Sequence, residues 1–552
     1  MTQTQASAPA ATARALVEAS QQVLDAALAH AALVTEGGRL IDEHQVHTER
    51  VAYLATQVRA ARELLSHVER IAAAGRPDAL LERMAHAYAA EVAHELRSQR
   101  EAARPDFGLE DEQARPLWVD EIAAAIDAGL DEGFLRAIGR DVISSLGVNN
   151  TDLEDEVAQL TRDMARNFAK TEVEPLAQEI HRQDLLIPDE LLDKFSAQGF
   201  FGSSIPERYG GTGMGDLPAI VITEELSAVS LAGAGSLATR PEILTKALLA
   251  GGTEQQREEW LPKIASGEVL VAIAVTEPDV GSDVASVQTR AEPAEHEGER
   301  GWRINGAKAW STFAGRATLL ALLARTDPDP AAGSRGLSLF MIPKPAYDGR
   351  HWRFEQPEGG VIEGTANPTP GYRGMHSFTL AIDDLWVSHE NLVGGDEGVG
   401  RGFYFQMGGF AAGRLQTAGR ASGLAQAALE KACQYVTGRS QFGTQLAEFQ
   451  LTQYKIGRMA VHVAAGRQFT YQAAREFDDR APEPSMAKLL TCDIAGEVSR
   501  EAQLLHGGWG YSEEDPISRY VVDSLVLPIF EGVKPILELR VIGRALLAAA
   551  AQ

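Results

Sequence analysis

Two stretches of the chain set hydroxyl, aromatic and backbone donors at the ends of expected strands. In Val275-Thr276-Glu277-Pro278-Asp279-Val280-Gly281-Ser282-Asp283, the Thr and Ser hydroxyls and the glycine-exposed amides supply donors without bulk, which suits a planar heterocycle or a phosphate. Some 27 residues on, Ile304-Asn305-Gly306-Ala307-Lys308-Ala309-Trp310-Ser311-Thr312 reads as a hairpin turn at Asn305-Gly306 and then a strand ending in Trp310 and Thr312. An aromatic face beside a hydroxyl fits a stacked ring system. Near the C-terminus, Glu531 follows the apolar run Leu525, Val526, Leu527, Ile529 and Phe530 and precedes Gly532. Partial desolvation in such a setting raises a carboxyl pKa toward working pH; the plainer reading is a carboxylate at a helix start. His506, beside Gly507 and Gly508, has no partner at metal-ligand spacing.

These stretches need elements to hold them. From about Thr12 to Leu146 apolar residues recur at three- and four-residue spacing, as in Val51 to Ala73, which predicts a helical bundle broken at Gly37-Gly38, Gly75 to Pro77 and Pro105 to Gly108. Gly147 to Asn150 reads as a linker. Residues 151–268 are again helical apart from the glycine-rich loop Tyr209 to Gly215. Between about Val269 and Val393 the period shortens, with strand-like runs at Val269 to Val275, Trp302 to Asn305, Leu319 to Ala324, Leu337 to Ile342 and Phe378 to Ile382. Helical patterns return from Gly402, clearest over Ala418 to Gly438 and Gln450 to Phe477.

The first and last blocks share a pattern. Gln45 with Ala55, Val58, Ala60 and Arg62 recurs as Gln450 with Ala460, Val463, Ala465 and Arg467. Met84-Ala85, Val92-Ala93 and Glu95 recur as Met486-Ala487, Ile494-Ala495 and Glu497, and Ile138-Gly139-Arg140 recurs as Ile542-Gly543-Arg544. Three matches in order suggest that the N-terminal block is a degenerate copy of the C-terminal bundle, stripped of its functional loops. The competing explanation is convergent Ala-rich helix composition.

A length of 552 residues implies three to four domains or subdomains. A net charge of −26 repels phosphate backbones and anionic lipid, so nucleic acid is not an expected partner, and no apolar run reaches the length of a membrane span. Cys433 and Cys492 each lie inside a helical pattern, which provides neither a disulfide framework nor a CxxC metal site and fits a reducing, cytoplasmic setting. The first twenty residues lack a charged start and an apolar core, and read as a short disordered lead.

In order, TEPxxGSD, NGxKxWxT, Arg439-Ser440-Gln441-Phe442-Gly443, His506-Gly507-Gly508-Trp509-Gly510-Tyr511 and Phe530-Glu531-Gly532 resemble the acyl-CoA dehydrogenase flavoproteins over about residues 151–552. The resemblance implies a mainly α fold with a central β-domain: a helical domain over 151–268, a β-barrel-like domain over 269–395 and a four-helix bundle over 400–552, here with an extra helical domain over 1–146. It implies FAD held between β-domain and bundle, in dimers or tetramers that share the cofactor site. By position, Thr276 and Thr312 would hydrogen-bond the flavin ring, with Ile273, Val275, Gly281 and Ser311 alongside and Trp310 packed beside it. Ser282 would touch both flavin and the pantetheine arm of the substrate. Arg439, whose planar fork suits a diphosphate, would reach FAD with Phe442 and Gln450, and Gly507 and Gly508 would bring backbone amides to the pyrophosphate. Glu531 would be the base that takes the proton next to the thioester carbonyl, Gly532 would leave room for the thioester, and Arg414 would help order the acyl-CoA region. Electron-transferring flavoprotein is the acceptor the resemblance implies.

Three departures stand out. Leu504 occupies a position where the family often has glutamine, with Gln503 one place earlier; Val533 replaces a threonine; and Lys534-Pro535 follows. They point to altered cofactor contacts.

With an added N-terminal helical block at this length, the chain resembles one branch of the family, which implies a short branched dicarboxylic substrate whose distal carboxylate would need a cation. Too many arginines are present to choose one. The Gly- and Pro-rich loop Glu355 to Gly374, with Tyr372 and Arg373, either borders the active site or is a surface loop. Another short acyl-CoA, an oxygen-reactive oxidase or monooxygenase, and a non-catalytic scaffold are the alternative readings. If the N-terminal block covers surface that relatives bury in tetramers, a homodimer follows.

Overall fold

The computed structural model describes residues 8–149 and 152–552, which form two compact units: residues up to Leu160 together with Thr417–Gln552, and Thr161–Gln416. In the first, long helices dominate both ends of the sequence. Ala8–Val34, Gln45–Ala73, Ala79–Ala102, Asp120–Leu130 and Glu132–Ser144 come from the N-terminal block. From the C-terminal block come the end of Gly402–Gly438, then Gln450–Arg475, Glu483–His506 and Pro516–Ser524. A last helical stretch runs through the π-turn Leu537–Gly543 into Arg544–Ala550. Side-chain caps set several starts. Asp78 accepts from the Leu80 and Leu81 amides, and Asp131 from that of Phe134.

The helices of the two blocks correspond in order. Gln45 and Gln450, the glutamines of the sequence repeat, are each the first residue of a long helix, and the following helices, Ala79–Ala102 and Glu483–His506, are both 24 residues. Met84, Ala85, Val92 and Ala93 are buried, as are Met486, Ala487, Ile494 and Ala495. The blocks pack crosswise: Glu132–Ser144 lies on Gln450–Arg475, and Leu537–Gly543 lies on Gln45–Ala73. Glycines permit this approach. A Cβ on Gly139 would sit 1.8 Å from the Gln453 carbonyl oxygen, and one on Gly543 would sit 2.5 Å from Thr48 Cγ2.

In the second unit, strands β1 (Val271–Ala274), β2 (Arg290–His296), β3 (Glu299–Thr312), β4 (Leu319–Arg325), β5 (Leu337–Pro343), β6 (His351–Glu355), β7 (Val361–Ala366) and β8 (Ser377–Ser388) form one curled sheet, ordered β1-β4-β2-β3-β8-β7-β6 with β5 beside β4. Leu319, Ala321 and Leu323 of β4 and Leu337, Leu339 and Met341 of β5 pack with Leu244, Leu248, Leu261 and Ile264 from the helices Glu242–Gly251 and Glu254–Ala265. That core anchors the strand ends that carry the first motif.

Three expectations need correction. The first helix already begins at Ala8, so only residues 1–7 of the expected lead lie outside the described residues, as does Asn150 of the linker. Asn305-Gly306 is no hairpin turn: the β2–β3 turn is at Glu297-Gly298, both with positive φ, and Asn305-Gly306 is an irregularity inside a continuous β3. The Glu355 to Gly374 loop contains β7, paired on both edges. The helical pattern foreseen from Gly402 is one helix, Gly402–Gly438.

Candidate functional site

In the Thr161–Gln416 unit, Ile273 lies in β1, and Val275 and Thr276 follow its end. This segment is clamped to β3. The Thr276 carbonyl accepts from the Ala309 amide at 2.8 Å, and Lys308 Nζ donates to the Val275 carbonyl at 2.9 Å and to Glu277 Oε1 at 3.0 Å. Glu277 also accepts the Gln288 and Thr289 amides, each at 2.8 Å. Lys308 is fully buried. Burial lowers its pKa to about 8 against the opposing pull of Glu277, whose own carboxyl, despite burial, is held below the usual range by Lys308 and the hydrogen bonds from Thr289 and Gln288. Glu277 and Lys308 were in the motifs but drew no role from sequence; their signal is a charged residue of each sign at the end or inside of an apolar strand.

The β3–β8 register slips between Lys308 and Ser311, and Trp310 takes a positive φ of 58° there. The bulge re-aims its indole, leaving it 59% exposed between buried neighbours Ala309 and Ser311. Ser311 Oγ is buried with no hydrogen-bond partner, and Thr312 Oγ1 lies 2.8 Å from Ser377 Oγ. Gly281 and Ser282 are exposed, and a Cβ on Gly281 would meet nothing within 4 Å. Of the residues expected beside a planar ring, Trp310, Gly281 and Ser282 are exposed, while the Ser311 hydroxyl is buried. A cavity of about 390 Å³ flanks the segment, but its lining of Glu277, Asp279, Gln288, Arg290 and Asn305 has no aromatic wall. Arg414, half-buried on the long helix, belongs to this unit too. Tyr372 is buried, and Arg373 donates to the His181 and Thr369 carbonyls, which gives the loop arginine a structural task.

In the other unit, Arg439 precedes a hairpin of Ser440–Gln441 and Thr444–Gln445. Phe442 and Gly443 turn it with positive φ, and the Phe442 ring at its tip is 95% exposed. Gln450 opens the next helix and is exposed. His506 ends its helix buried, its Nδ1 2.7 Å from the Ala502 carbonyl and its ring stacked on Tyr435 at 4.2 Å. Gly507 and Gly508 beyond it are open, with nothing within 4 Å of an added Cβ. Gln503 donates to the Gly510 carbonyl at 3.0 Å, so it braces this turn, while Leu504 is exposed.

Glu531 is half-buried in a non-helical segment between Pro516–Ser524 and Lys534–Ile536, and its φ of 53° lies in the left-handed region. Non-glycine residues hold that conformation only where the surroundings impose it, and such sites cluster where function needs them. The buried Lys488 ammonium donates to the Gly532 carbonyl, and the Arg420 guanidinium lies 4.8 Å from the Phe530 ring centroid. Neither basic residue was singled out from sequence, because each is one cation within a long helical pattern.

Family models agree with this arrangement. Acyl-CoA dehydrogenase, N-terminal domain, matches residues 155–268; the middle domain matches 272–385; and the C-terminal domain matches both 1–142 and 400–547. The chain belongs to the acyl-CoA dehydrogenase family, and FAD is its cofactor. It is 38% identical over 532 residues to (2S)-methylsuccinyl-CoA dehydrogenase of Cereibacter sphaeroides, covering 93% of each chain. It is 31% identical to the caffeyl-CoA reductase-Etf complex subunit CarC of Acetobacterium woodii, over 71% of this chain and 98% of that one. Among solved structures, butyryl-CoA dehydrogenase from Megasphaera elsdenii matches with a TM-score of 0.64 and 30% identity, covering 71% of this chain and 98% of that one. Within the Thr161–Gln416 unit, the exposed indole of Trp310, the unpartnered Ser311 hydroxyl and the open Gly281 fit such a cofactor. Among the described residues no helix is long and apolar enough to cross a membrane.

Proposed function

We propose that this FAD-dependent acyl-CoA dehydrogenase oxidises a short, branched, dicarboxylic thioester, with (2S)-methylsuccinyl-CoA as substrate and mesaconyl-CoA as product. The observation that carries the reading is coverage. The similarity to the Cereibacter enzyme runs through 93% of both chains, N-terminal block included, whereas CarC and the Megasphaera enzyme each cover 71% of this chain.

Bound flavin supplies the hydride acceptor, for hydrogen leaving the substrate's β-carbon. The rest falls to the chain. Glu531 takes the α-proton, the electron pair of that C–H bond becomes the second bond between the two carbons, and the pair of the β C–H bond leaves with the hydride. The left-handed backbone and neighbouring Gly532 aim this carboxylate and keep space beside it. General-base catalysis of this kind contributes about 10²- to 10⁴-fold. Thr276, Ser311 and Thr312 offer hydroxyls to the ring edge, with Ile273, Val275 and Gly281 alongside and Trp310 against it; Ser282 is shared with the pantetheine arm. Arg439, Phe442, Gln450, Gly507 and Gly508 serve the rest of FAD, and Arg414 orders the acyl-CoA region. Electron-transferring flavoprotein receives the electrons, a reading supported by the Etf-complex relative.

The N-terminal block is, on this reading, a degenerate second bundle that occupies surface other members bury in tetramers, so the enzyme is a homodimer. The C-terminal-domain match at 1–142 and the paired helix starts support it. Mass photometry should give twice the 59.4 kDa chain mass; a tetramer would overturn that part. Turnover of methylsuccinyl-CoA with an artificial acceptor, yielding a product two hydrogens lighter, supports the substrate. A stronger response to butyryl-CoA would replace it.

A further inference from the structure

The segment carrying Glu531 is held from the C-terminal bundle at three points: Lys488 to the Gly532 carbonyl, Arg420 over Phe530, and the Cys492 thiol to the Leu527 carbonyl at 3.4 Å. A fourth hold comes from the opposite end of the sequence. Lys534, three residues past Glu531, places Nζ 2.5 Å from Asp493 Oδ2. That same oxygen accepts the Tyr53 hydroxyl at 2.7 Å, and the Lys534 ammonium sits 4.7 Å from the centroid of the Tyr53 ring. One phenol on helix Gln45–Ala73 thus binds the anion with its hydroxyl and the cation with its face. Glu538 closes the cluster, its Oε1 3.8 Å from Lys534. Burial raises the Glu538 carboxyl to about 7 against the pull of Lys534, and the Tyr53 phenol stays protonated well beyond its ordinary range because of burial and Asp493.

We propose that Tyr53 is a positioning residue for Glu531: through Asp493 and Lys534 the N-terminal block fixes the far end of the strained segment that aims the base. The proposal rests on Glu531 being that base. It gives Lys534, one of the departures from the family pattern, a task, and it gives the N-terminal block a part in the reaction beyond covering surface. A left-handed Glu531 relaxes unless both flanks are held, and on the C-terminal flank, beyond the Lys488 contact at Gly532, the Lys534–Asp493 pair is braced by Tyr53.

The test uses the full-length holoenzyme and reads the anaerobic rate of flavin bleaching per bound FAD at saturating thioester, with KM and FAD content measured alongside. Tyr53→Phe keeps the ring and removes the hydroxyl; a fall of about threefold to tenfold in the per-flavin rate is expected at unchanged FAD content and KM. Lys534→Met should lose more, about thirtyfold, Lys534→Arg should restore part of it, and Tyr53→Phe in the Lys534→Met background should add nothing. A purely structural role would lower melting temperature or FAD content and leave the per-flavin rate in place. Per-flavin rates within about twofold of wild type for Tyr53→Phe would overturn the proposal, and this near-isosteric variant decides even if Lys534→Met fails to fold. Wild type that no thioester bleaches would overturn the functional reading and the proposal with it.

Discussion

The helices of the N-terminal and C-terminal blocks correspond in order, but two of the joins between them are built differently. Between Val34 and Gln45 the chain turns through Gly37 and Gly38 into the 3-10 turn Ile41–Glu43; over a similar length between Gly438 and Gln450 it builds a hairpin with the exposed Phe442 at its tip. A single residue, Asp131, joins Asp120–Leu130 to Glu132–Ser144, whereas a strained stretch from Leu525 to Val533, with Glu531 in it, joins the C-terminal counterparts. The buried faces are alike and the joins are not. Packing faces are constrained by what they touch on every side, while loops displayed on a rigid frame are free to gain or lose chemistry.

The sharpest way to break this contrast is to exchange one acid in each join. Glu531→Gln should reduce per-flavin bleaching by about 10²- to 10⁴-fold with FAD retained. Asp131→Ala should cost only a helix cap, about 1 kcal/mol in thermal unfolding, with the per-flavin rate unchanged. A large catalytic loss at Asp131 would mean that the N-terminal joins still serve the reaction.

Next come the glycines at the crosswise contacts. Gly139→Ala and Gly543→Ala should each destabilise by about 1 to 3 kcal/mol by overpacking, with Gly139 the more costly because its Cβ would sit 1.8 Å from the Gln453 carbonyl oxygen, whereas that of Gly543 would sit 2.5 Å from Thr48 Cγ2 and 2.6 Å from the Glu538 carbonyl oxygen. Equal tolerance of both in calorimetric melting would argue against the close approach.

A smaller effect should appear with pH. His462 lies 3.0 Å from Glu91 on the N-terminal block and 3.5 Å from Glu497. Burial alone would lower its pKa, but the Glu91 charge and the hydrogen bonds His462 donates to both carboxylates raise it to about 10. Glu91, despite burial, is held at about 2 by His462 and Arg458. The stability from the raised histidine is complete below its ordinary 6.5 and is lost as pH climbs through about 10. That from the lowered glutamate is complete above 4.5 and is lost as pH falls toward 2. His462→Gln should lower the melting temperature by a few degrees near pH 6 and flatten the alkaline decline. An unchanged alkaline limb would remove the pair from the account. On the other side of the crosswise packing, Tyr53 meets Asp493, and its phenol, held protonated, gives no such limb.

Much of this was legible in the sequence, for identifiable reasons. Periodicity over Val51 to Ala73 and Gln450 to Phe477 found long helices whose ends differ by only a few residues from those observed. Trp310 and Thr312 could be picked out because aromatic and hydroxyl residues cluster at a strand end, and Glu531 because a carboxylate follows an apolar run; Phe442 was marked only by the family resemblance. Asn305-Gly306 misled because the same dipeptide serves a turn and a bulge, and only pairing with β8 tells them apart. β7 was hidden because its glycine- and proline-rich surroundings resemble a loop, yet β6 and β8 complete its hydrogen bonds. Tyr53, Asp493 and Lys534 were out of reach altogether, since Tyr53 is hundreds of residues from its partners and nothing local marks it.

The most direct test of the central claim is anaerobic titration of the purified holoenzyme with methylsuccinyl-CoA, butyryl-CoA and isobutyryl-CoA, wild type beside Glu531→Gln. Bleaching by methylsuccinyl-CoA far ahead of the others, and lost in the variant, is the predicted result. Equal bleaching of variant and wild type, or preference for a monocarboxylic thioester, would contradict the account.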